Sequence, residues 1–335
     1  MGDSLKGKVA IVTGSGQGIG RSIAIAVAAE GAKVVTNNRT PGSNKFLNIP
    51  EEDYNSWTKE KQDEFDELFA KIGGDAETTA QQIRDAGGDA TACFGDISQF
   101  AFGEELVNFT VDTYGTVDLL INVAGGFGGG GVEDVTEEQF VYQSDIKPKG
   151  YFNVIRAAVP IMKEKKWGRI INCTSRAFQG DVVKFTQYVT CNAGVVGLTR
   201  GLAMELHKFG ITCNAFSPHS ISRKSHEDKF SSRGTTAGKA IPGMPTFPGL
   251  HEMPDTECNA PFIAWLCTER AGKVTGSVFS LHANEISLHR EPEIVSSMSK
   301  PMKWGVWTQE EILTECRRRL FINYKSVSTP DITFG

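Results

Sequence analysis

Ser175 and Tyr188 stand thirteen positions apart, Ser175 just after a β-rich run and Tyr188 opening the helical pattern Tyr188-Val189-Thr190-Cys191-Asn192-Ala193-Gly194. A phenol beside a hydroxyl polarises a carbonyl oxygen and hands it a proton, which joins general acid catalysis to oxyanion stabilisation. The pair reduces a ketone only if a hydride comes from a bound nicotinamide, so the chain should also carry a nucleotide site. Thr13-Gly14-Ser15-Gly16-Gln17-Gly18-Ile19-Gly20 lies between a β-rich run and a helical run. There glycines let the backbone approach a pyrophosphate, and the unpaired amides and positive dipole end of the helix stabilise its charge. After the second β-rich run the chain reads Thr36-Asn37-Asn38-Arg39-Thr40. An acid there would accept from both ribose hydroxyls of NAD, and none is present. The Arg39 guanidinium instead matches a 2′-phosphate, which favours NADP(H) over NAD(H), a solvated surface arginine being the alternative.

The elements that must hold these residues alternate. Residues 9–13, 34–36, 90–94, 117–121, 169–173, 211–216 and 278–281 read as seven strands with helical patterns between them. Such alternation predicts an α/β, doubly wound Rossmann-type parallel sheet with helices on both faces and ligands beyond the carboxyl ends of its strands. Residues 1–285 read as one catalytic domain. It carries a helical insertion at about 41–74, where Trp57, Phe65, Leu68, Phe69 and Ile72 share a helical face, and a lid at about 219–257, rich in Ser, Gly and Pro. Residues 286–335 form a C-terminal extension holding Trp304-Gly305-Val306-Trp307 and a helix over 309–320, capped by Thr308 with Glu311.

With these features in place, the chain resembles the short-chain dehydrogenase/reductase family over about residues 5–285. The family pattern T-G-x-x-x-G-x-G falls on Thr13, Gly14, Gly18 and Gly20. The resemblance places Ser15, Ile19 and Asn38 in the nucleotide site, Asp96-Ile97 beside the adenine, and Asn122-Val123-Ala124-Gly125 on the family's N-N-A-G with Val123 for the second Asn. Thr275-Gly276 before the last strand is similar too, whereas Ser217-Pro218-His219 has His where the family places Gly. It also implies a catalytic role for Ser175 and Tyr188 and a Lys one turn after the Tyr. That position is Asn192. The segment Asp145-Ile146-Lys147-Pro148-Lys149-Gly150-Tyr151-Phe152 resembles D-V-N-L-K-G-x-F, with Lys147 on the family's catalytic Asn. Lys and Asn have traded places.

Moving a phenol from about 10 to near neutrality needs roughly 4 kcal/mol, what one cation at about 4 Å supplies at an effective dielectric of about 20. Asn192 lacks that charge. Pro148 disfavours α geometry at Lys147, and a local break would aim Lys147 inward as the relay cation while Lys149 points outward. Two substitutions in a degenerate site are the alternative, and Arg176 is a further cation of unassigned direction.

The glycine-rich stretch 125–131 should border the substrate cleft. The insertion and the segment after residue 285 resemble the dehydrogenase units of peroxisomal multifunctional enzymes, implying a hydroxyacyl thioester or bulky alicyclic alcohol as substrate. The expected activity is alcohol–ketone interconversion. Non-redox lyase or hydratase chemistry and a catalytically silent nucleotide-binding subunit are the alternatives, and redox turnover separates the first from both. A net charge of −5 gives no footprint for nucleic acid, and the apolar runs are too short to cross a bilayer. Without a secretory signal pattern, the expected location is cytoplasmic. Seven scattered cysteines fit reduced thiols, with no metal site expected, and the family implies a homodimer or homotetramer.

Overall fold

Every residue of β1 (Val9–Thr13) is buried, as expected of a parallel strand covered on both faces. Its side chains alternate between two cores. Ala10 and Val12 join one, with Val34, Leu119, Ile121 and Ile171, while Ile11 joins the other, with Val35, Leu120 and Ile170. This period of two places β1, β2 (Lys33–Asn38), β4 (Leu119–Asn122) and β5 (Gly168–Cys173) inside a three-layer fold. With β3 (Asp89–Phe94), β6 (Ile211–His219), β7 (Val278–His282) and β8 (Glu285–Leu288), they form one sheet in the order β3-β2-β1-β4-β5-β6-β7-β8. All pairings are parallel except β7 with β8.

The computed structural model describes residues 2–42, 51–126, 128–180, 182–220, 254–290, 292, 296–300, 306–315 and 319. It adds an eighth strand to the seven expected. Ile286 and Leu288 of β8 are exposed, so this hairpin strand carries no buried alternation to announce it. β6 also runs past Phe216 to His219 despite Pro218, which has no amide for the ladder.

One face of the sheet is covered by α1 (Gly18–Ala29), α4 (Ala76–Asp85) and α9 (Ala260–Leu266), the other by α5 (Phe100–Tyr114), α7 (Tyr151–Lys165) and α8 (Thr186–Leu206). The chain winds outward from β1 in both directions, so the carboxyl ends of β1 and β4 open a crevice at a topological switch point. Between β2 and α4, α2 (Glu51–Asn55) and α3 (Lys59–Ile72) gather Tyr54, Trp57, Leu68, Phe69 and Ile72 around Phe65, which is 2% exposed. Most of the expected lid, residues 221–253, lies outside the described residues.

Met1–His289 form one compact unit and Arg290–Gly335 another. In the second unit α10 (Gln309–Glu315) is started by reciprocal hydrogen bonds: the Thr308 amide donates to Glu311 Oε2 at 2.7 Å, and the Glu311 amide donates to Thr308 Oγ1 at 3.2 Å. Trp304, and residues 316–318 and 320 of the expected helix, lie outside the described residues.

Candidate active site

A cleft of about 510 Å³ opens at the switch point, lined in part by Gly14, Gly18, Ile19, Gly20, Asn38, Arg39, Asp96, Ile97, Ala124 and Gly125. Its floor is built for close backbone approach. A Cβ at Gly14 would lie 2.6 Å from the Ala124 amide nitrogen, and Gly14 and Gly18 have φ of +66° and +55°, which favour glycine. Gln17 at the N-cap of α1 makes no side-chain hydrogen bond, leaving the first helical amides open to an anion. This cradle fits a dinucleotide pyrophosphate.

Two of the residues expected there spend side-chain hydrogen bonds inside the sheet. Ser15 is fully buried, donating to Val12 O at 2.7 Å and accepting from the Asn37 amide at 2.9 Å, so it ties β1 to β2. Asn122 is buried within β4 and donates to Asn172 Oδ1 at 3.0 Å. Tyr142 and Ile146 also line the cleft, with Tyr142 under the Arg39 guanidinium at 5.9 Å. They come from α6 (Glu137–Ser144) and the π-helical turn that follows it, and only tertiary packing brings them in.

At the adenosine end Asn38 Oδ1 accepts from the Ala76 amide at 2.8 Å, and its Nδ2 donates to Thr40 O at 3.0 Å. Asp75 caps α4 with one oxygen, accepting from the Thr78 amide at 3.0 Å, and takes the Gly42 amide at 2.8 Å with the other. Burial pushes the Asp75 carboxyl up, but these amides outweigh it and hold it below the usual carboxylate range. The exposed Arg39 stands at the same edge.

Ser175 caps the short 3-10 helix Arg176–Gln179 beyond β5, its Oγ accepting from the Ala177 amide at 3.3 Å. Tyr188 is the third residue of α8, its ring edge-on to Phe185 at 6.5 Å. Both are half-buried at the carboxyl edge of the sheet. Lys147 sits in the π-helical turn Asp145–Gly150, where its own φ of −132° and ψ of 126° are extended and the helix breaks. The break turns the side chain inward, leaving it 7% exposed. Its ammonium lies beside Gly125, where a Cβ would fall 3.4 Å from Nζ, and 5.6 Å from the Tyr151 ring. No hydrogen-bond acceptor or carboxylate holds this ammonium among the described residues. Its field reaches Cys173, two residues before Ser175, and Cys191, three after Tyr188, opposing in both the upward push of burial on the thiol. Lys149 faces out to Asp145 at 2.8 Å.

Asn192 is fully buried. Its Nδ2 donates to Tyr188 O at 2.8 Å, and its Oδ1 has no partner among the described residues. Thr174 Oγ1 donates to Asn192 O at 2.9 Å, which fixes α8 to the end of β5. Tyr151, a residue with no motif to announce it, is fully buried and donates to Ala124 O at 2.8 Å and Cys173 O at 3.2 Å, tying the cleft to β5. Gln143, 7% exposed, donates to Gly128 O at 3.2 Å, and the Gly130 amide donates to Lys184 O at 2.8 Å, which fixes these glycines to α6 and to the turn before α8. Cys173, Cys191, Cys213 and Cys267 are buried, and burial pushes the thiols of Cys213 and Cys267 up to about 12. Among the described residues no group of three His, Cys, Asp or Glu is placed to hold a metal, and no helix is long and apolar enough to cross a membrane.

The wider chain has relatives consistent with this arrangement. Oxidoreductase UcpA of Salmonella typhimurium is 31% identical over 284 residues, covering 82% of this chain and 92% of that one. Peroxisomal multifunctional enzyme type 2 of Mus musculus is 28% identical over 302 residues, 88% of this chain and 35% of the relative. The crystal structure of a short chain dehydrogenase from Mycobacterium avium superposes with a TM-score of 0.72 at 25% identity, covering 98% of this chain and 100% of that one. The family pattern of the short chain dehydrogenases matches residues 8–52 and 67–233. A switch-point cleft, a glycine cradle and a Ser–Tyr edge within those matched residues leave one assignment: this chain is an oxidoreductase of the short chain dehydrogenase family, whose members use nicotinamide cofactors.

Proposed function

We propose that this protein interconverts a secondary alcohol and a ketone with NADP(H), using Tyr188 as acid and base, Ser175 to polarise the oxygen, and Lys147, in place of the usual lysine, to tune the phenol. The observation that carries the reading is the Lys147 ammonium, which is buried beside Gly125 of the cleft wall with no acceptor among the described residues. A buried ammonium costs several kcal/mol unless something compensates it, and a phenolate or a ligand hydroxyl on this edge would do so. Asn192, a short neutral side chain bonded back to Tyr188 O, is supported as a brace for α8.

A bound nicotinamide supplies the hydride for reduction and takes it in oxidation. Ser175 donates to the substrate oxygen, Tyr188 delivers the proton to that oxygen, and Lys147 stabilises the phenolate left behind. Alcohol oxidation runs the same proton path in reverse.

Preference for NADP(H) is supported by Arg39 on the cleft edge and by the lack of an acid in Thr36-Asn37-Asn38-Arg39-Thr40 at the end of β2. A hydroxyacyl thioester or a bulky alicyclic alcohol is the proposed substrate type, resting on similarity to the peroxisomal enzymes. The test is loss of absorbance at the reduced nicotinamide band with a panel of ketones. Turnover supports the proposal, and nucleotide binding without redox turnover refutes it.

A further inference from the structure

Arg21 stands in the first turn of α1, directly after the glycine loop, yet it is only 8% exposed and does not line the cleft. Its Nη2 donates to Gly16 O at 2.6 Å and also to Gly73 O, and its Nε donates to Thr79 Oγ1 at 3.3 Å. Thr79 Oγ1 in turn donates to Ser15 O at 2.8 Å. The carbonyls of Ser15 and Gly16 are thus both held from the side of α1 and α4. A trans peptide is planar with its N–H opposite its C=O, so fixing these two oxygens aims the Gly16 and Gln17 amides the other way. Both residues line the cleft, and neither amide has an acceptor among the described residues. An anion in the cleft therefore meets two amide donors that are held from turning over to present a carbonyl.

The same nitrogen reaches the helical insertion. Gly73 caps the C-terminal end of α3, and Gly74 follows at φ of +121°, where a Cβ would fall 2.6 Å from Arg21 Nη2. A Cβ at Gly16 would fall 3.0 Å from Asp75 Cα, so the nucleotide loop and the junction between α3 and α4 lie in backbone contact. A buried guanidinium keeps its charge and needs acceptors around its rigid fork, and carbonyls from these two segments supply them. Burial lowers the Arg21 pKa, and the Asp75 carboxylate opposes that.

We propose that Arg21 is a positioning residue for the nicotinamide nucleotide, setting the Gly16 and Gln17 amides toward its phosphates and tying that setting to the end of the helical insertion. The loop and the insertion then tighten together, because a contact that favours nucleotide binding is favoured by the nucleotide in return. This role rests on the family's use of a nicotinamide nucleotide, and on neither the Tyr188 chemistry nor a preference for NADP.

The test is calorimetric titration of NADP and of NAD into full-length protein, joined to amide hydrogen exchange. Arg21→Met, which keeps a long apolar stem and removes every side-chain donor, is expected to weaken binding by about 30–100-fold, the scale of charge-assisted hydrogen bonds. Arg21→Lys keeps a charged donor for one carbonyl and should lose only about 3–10-fold. Hydrogen exchange supplies a readout that a merely structural role leaves unmoved. Nucleotide should slow exchange over residues 66–79 of the wild type by about tenfold, and at saturation that slowing should fall below about twofold in Arg21→Met. Unchanged affinity in Arg21→Met, equal losses in the Met and Lys variants, or exchange slowed as much in Arg21→Met as in the wild type would overturn the proposal. So would a wild type that binds neither nucleotide, or one whose exchange over 66–79 the nucleotide leaves unchanged. Should Arg21→Met not fold, Thr79→Val carries the test, since it removes only the hydroxyl between Arg21 and Ser15 O. A loss of about 3–10-fold in affinity is then expected, and an unchanged affinity overturns the proposal. Binding and exchange that behave as expected while no ketone is reduced keep the role of Arg21 and discard only the redox reading.

Discussion

At the scale of single residues, two cations set the expected behaviour. One unit charge at about 4 Å is worth about 4 kcal/mol at an effective dielectric of about 20, so Lys147→Ala is expected to lower turnover by about 10²–10³-fold. Lys149→Ala is the control, because its side chain is exposed and paired with Asp145 on the outer surface; steady-state rates of the two variants check the contrast. Arg39→Ala is expected to weaken NADP binding by about 10–100-fold, the scale of lost charge-assisted hydrogen bonds, and to leave NAD binding within a few-fold. Calorimetry with both nucleotides reads this directly, and equal losses for the two would remove the case for NADP. Ser175, Tyr188, Lys147 and Arg39 could be nominated from the sequence because each stands at a fixed distance from a local pattern. Tyr142, which lines the cleft, and Gln143 and Tyr151, which bond Gly128 O and Ala124 O beside it, could not be, since only the packing of α6 and α7 on the sheet brings them there.

At the scale of elements, the break at Lys147 matters more than any helix propensity. Pro148 is the signal that α geometry would fail there, and the extended φ and ψ of Lys147 are where it fails. Gly125 leaves room for the result, because a Cβ would fall 3.0 Å from Lys147 Cε. Gly125→Ala is therefore expected to push a flexible ammonium aside, lowering kcat by about tenfold with little change in Tm. A variant that loses Tm and kcat together would assign Gly125 to the fold alone. The loop bearing Ser175 has its own anchor. His289 is 2.7 Å from Ser280 Oγ through Nε2 and 3.2 Å from Gln179 Nε2 through Nδ1, and it meets Phe178 edge to face. Burial, then Arg200, lowers the pKa of this ring, so the folded state binds the proton more weakly than the unfolded one. Its stabilisation is fully present above the unfolded value of about 6.5 and is lost as pH falls through the lower folded value. His289→Phe is expected to cost about 1–2 kcal/mol at neutral pH and to flatten the decline in stability below about pH 6.5, as measured by denaturant melts across pH.

At the scale of the whole molecule, the fold follows from alternation. Buried β-rich runs separated by helical patterns left little choice but a parallel sheet with two covered faces, and β1 lies where the winding reverses. The edge of the sheet was less legible. β8 is short and exposed, and β6 continues through a proline, so neither shows the buried alternation that marks β1, β2, β4 and β5. These less legible ends carry His219 and His289. The claim on which the rest depends is that Lys147 tunes the Tyr188 phenol, and the pH dependence of hydride transfer in wild type and in Lys147→Ala tests it most directly. Expected is hydride transfer slowed by about 10²–10³-fold in Lys147→Ala, with a pH profile that differs in shape from that of the wild type. Superimposable profiles with equal rates would contradict the account.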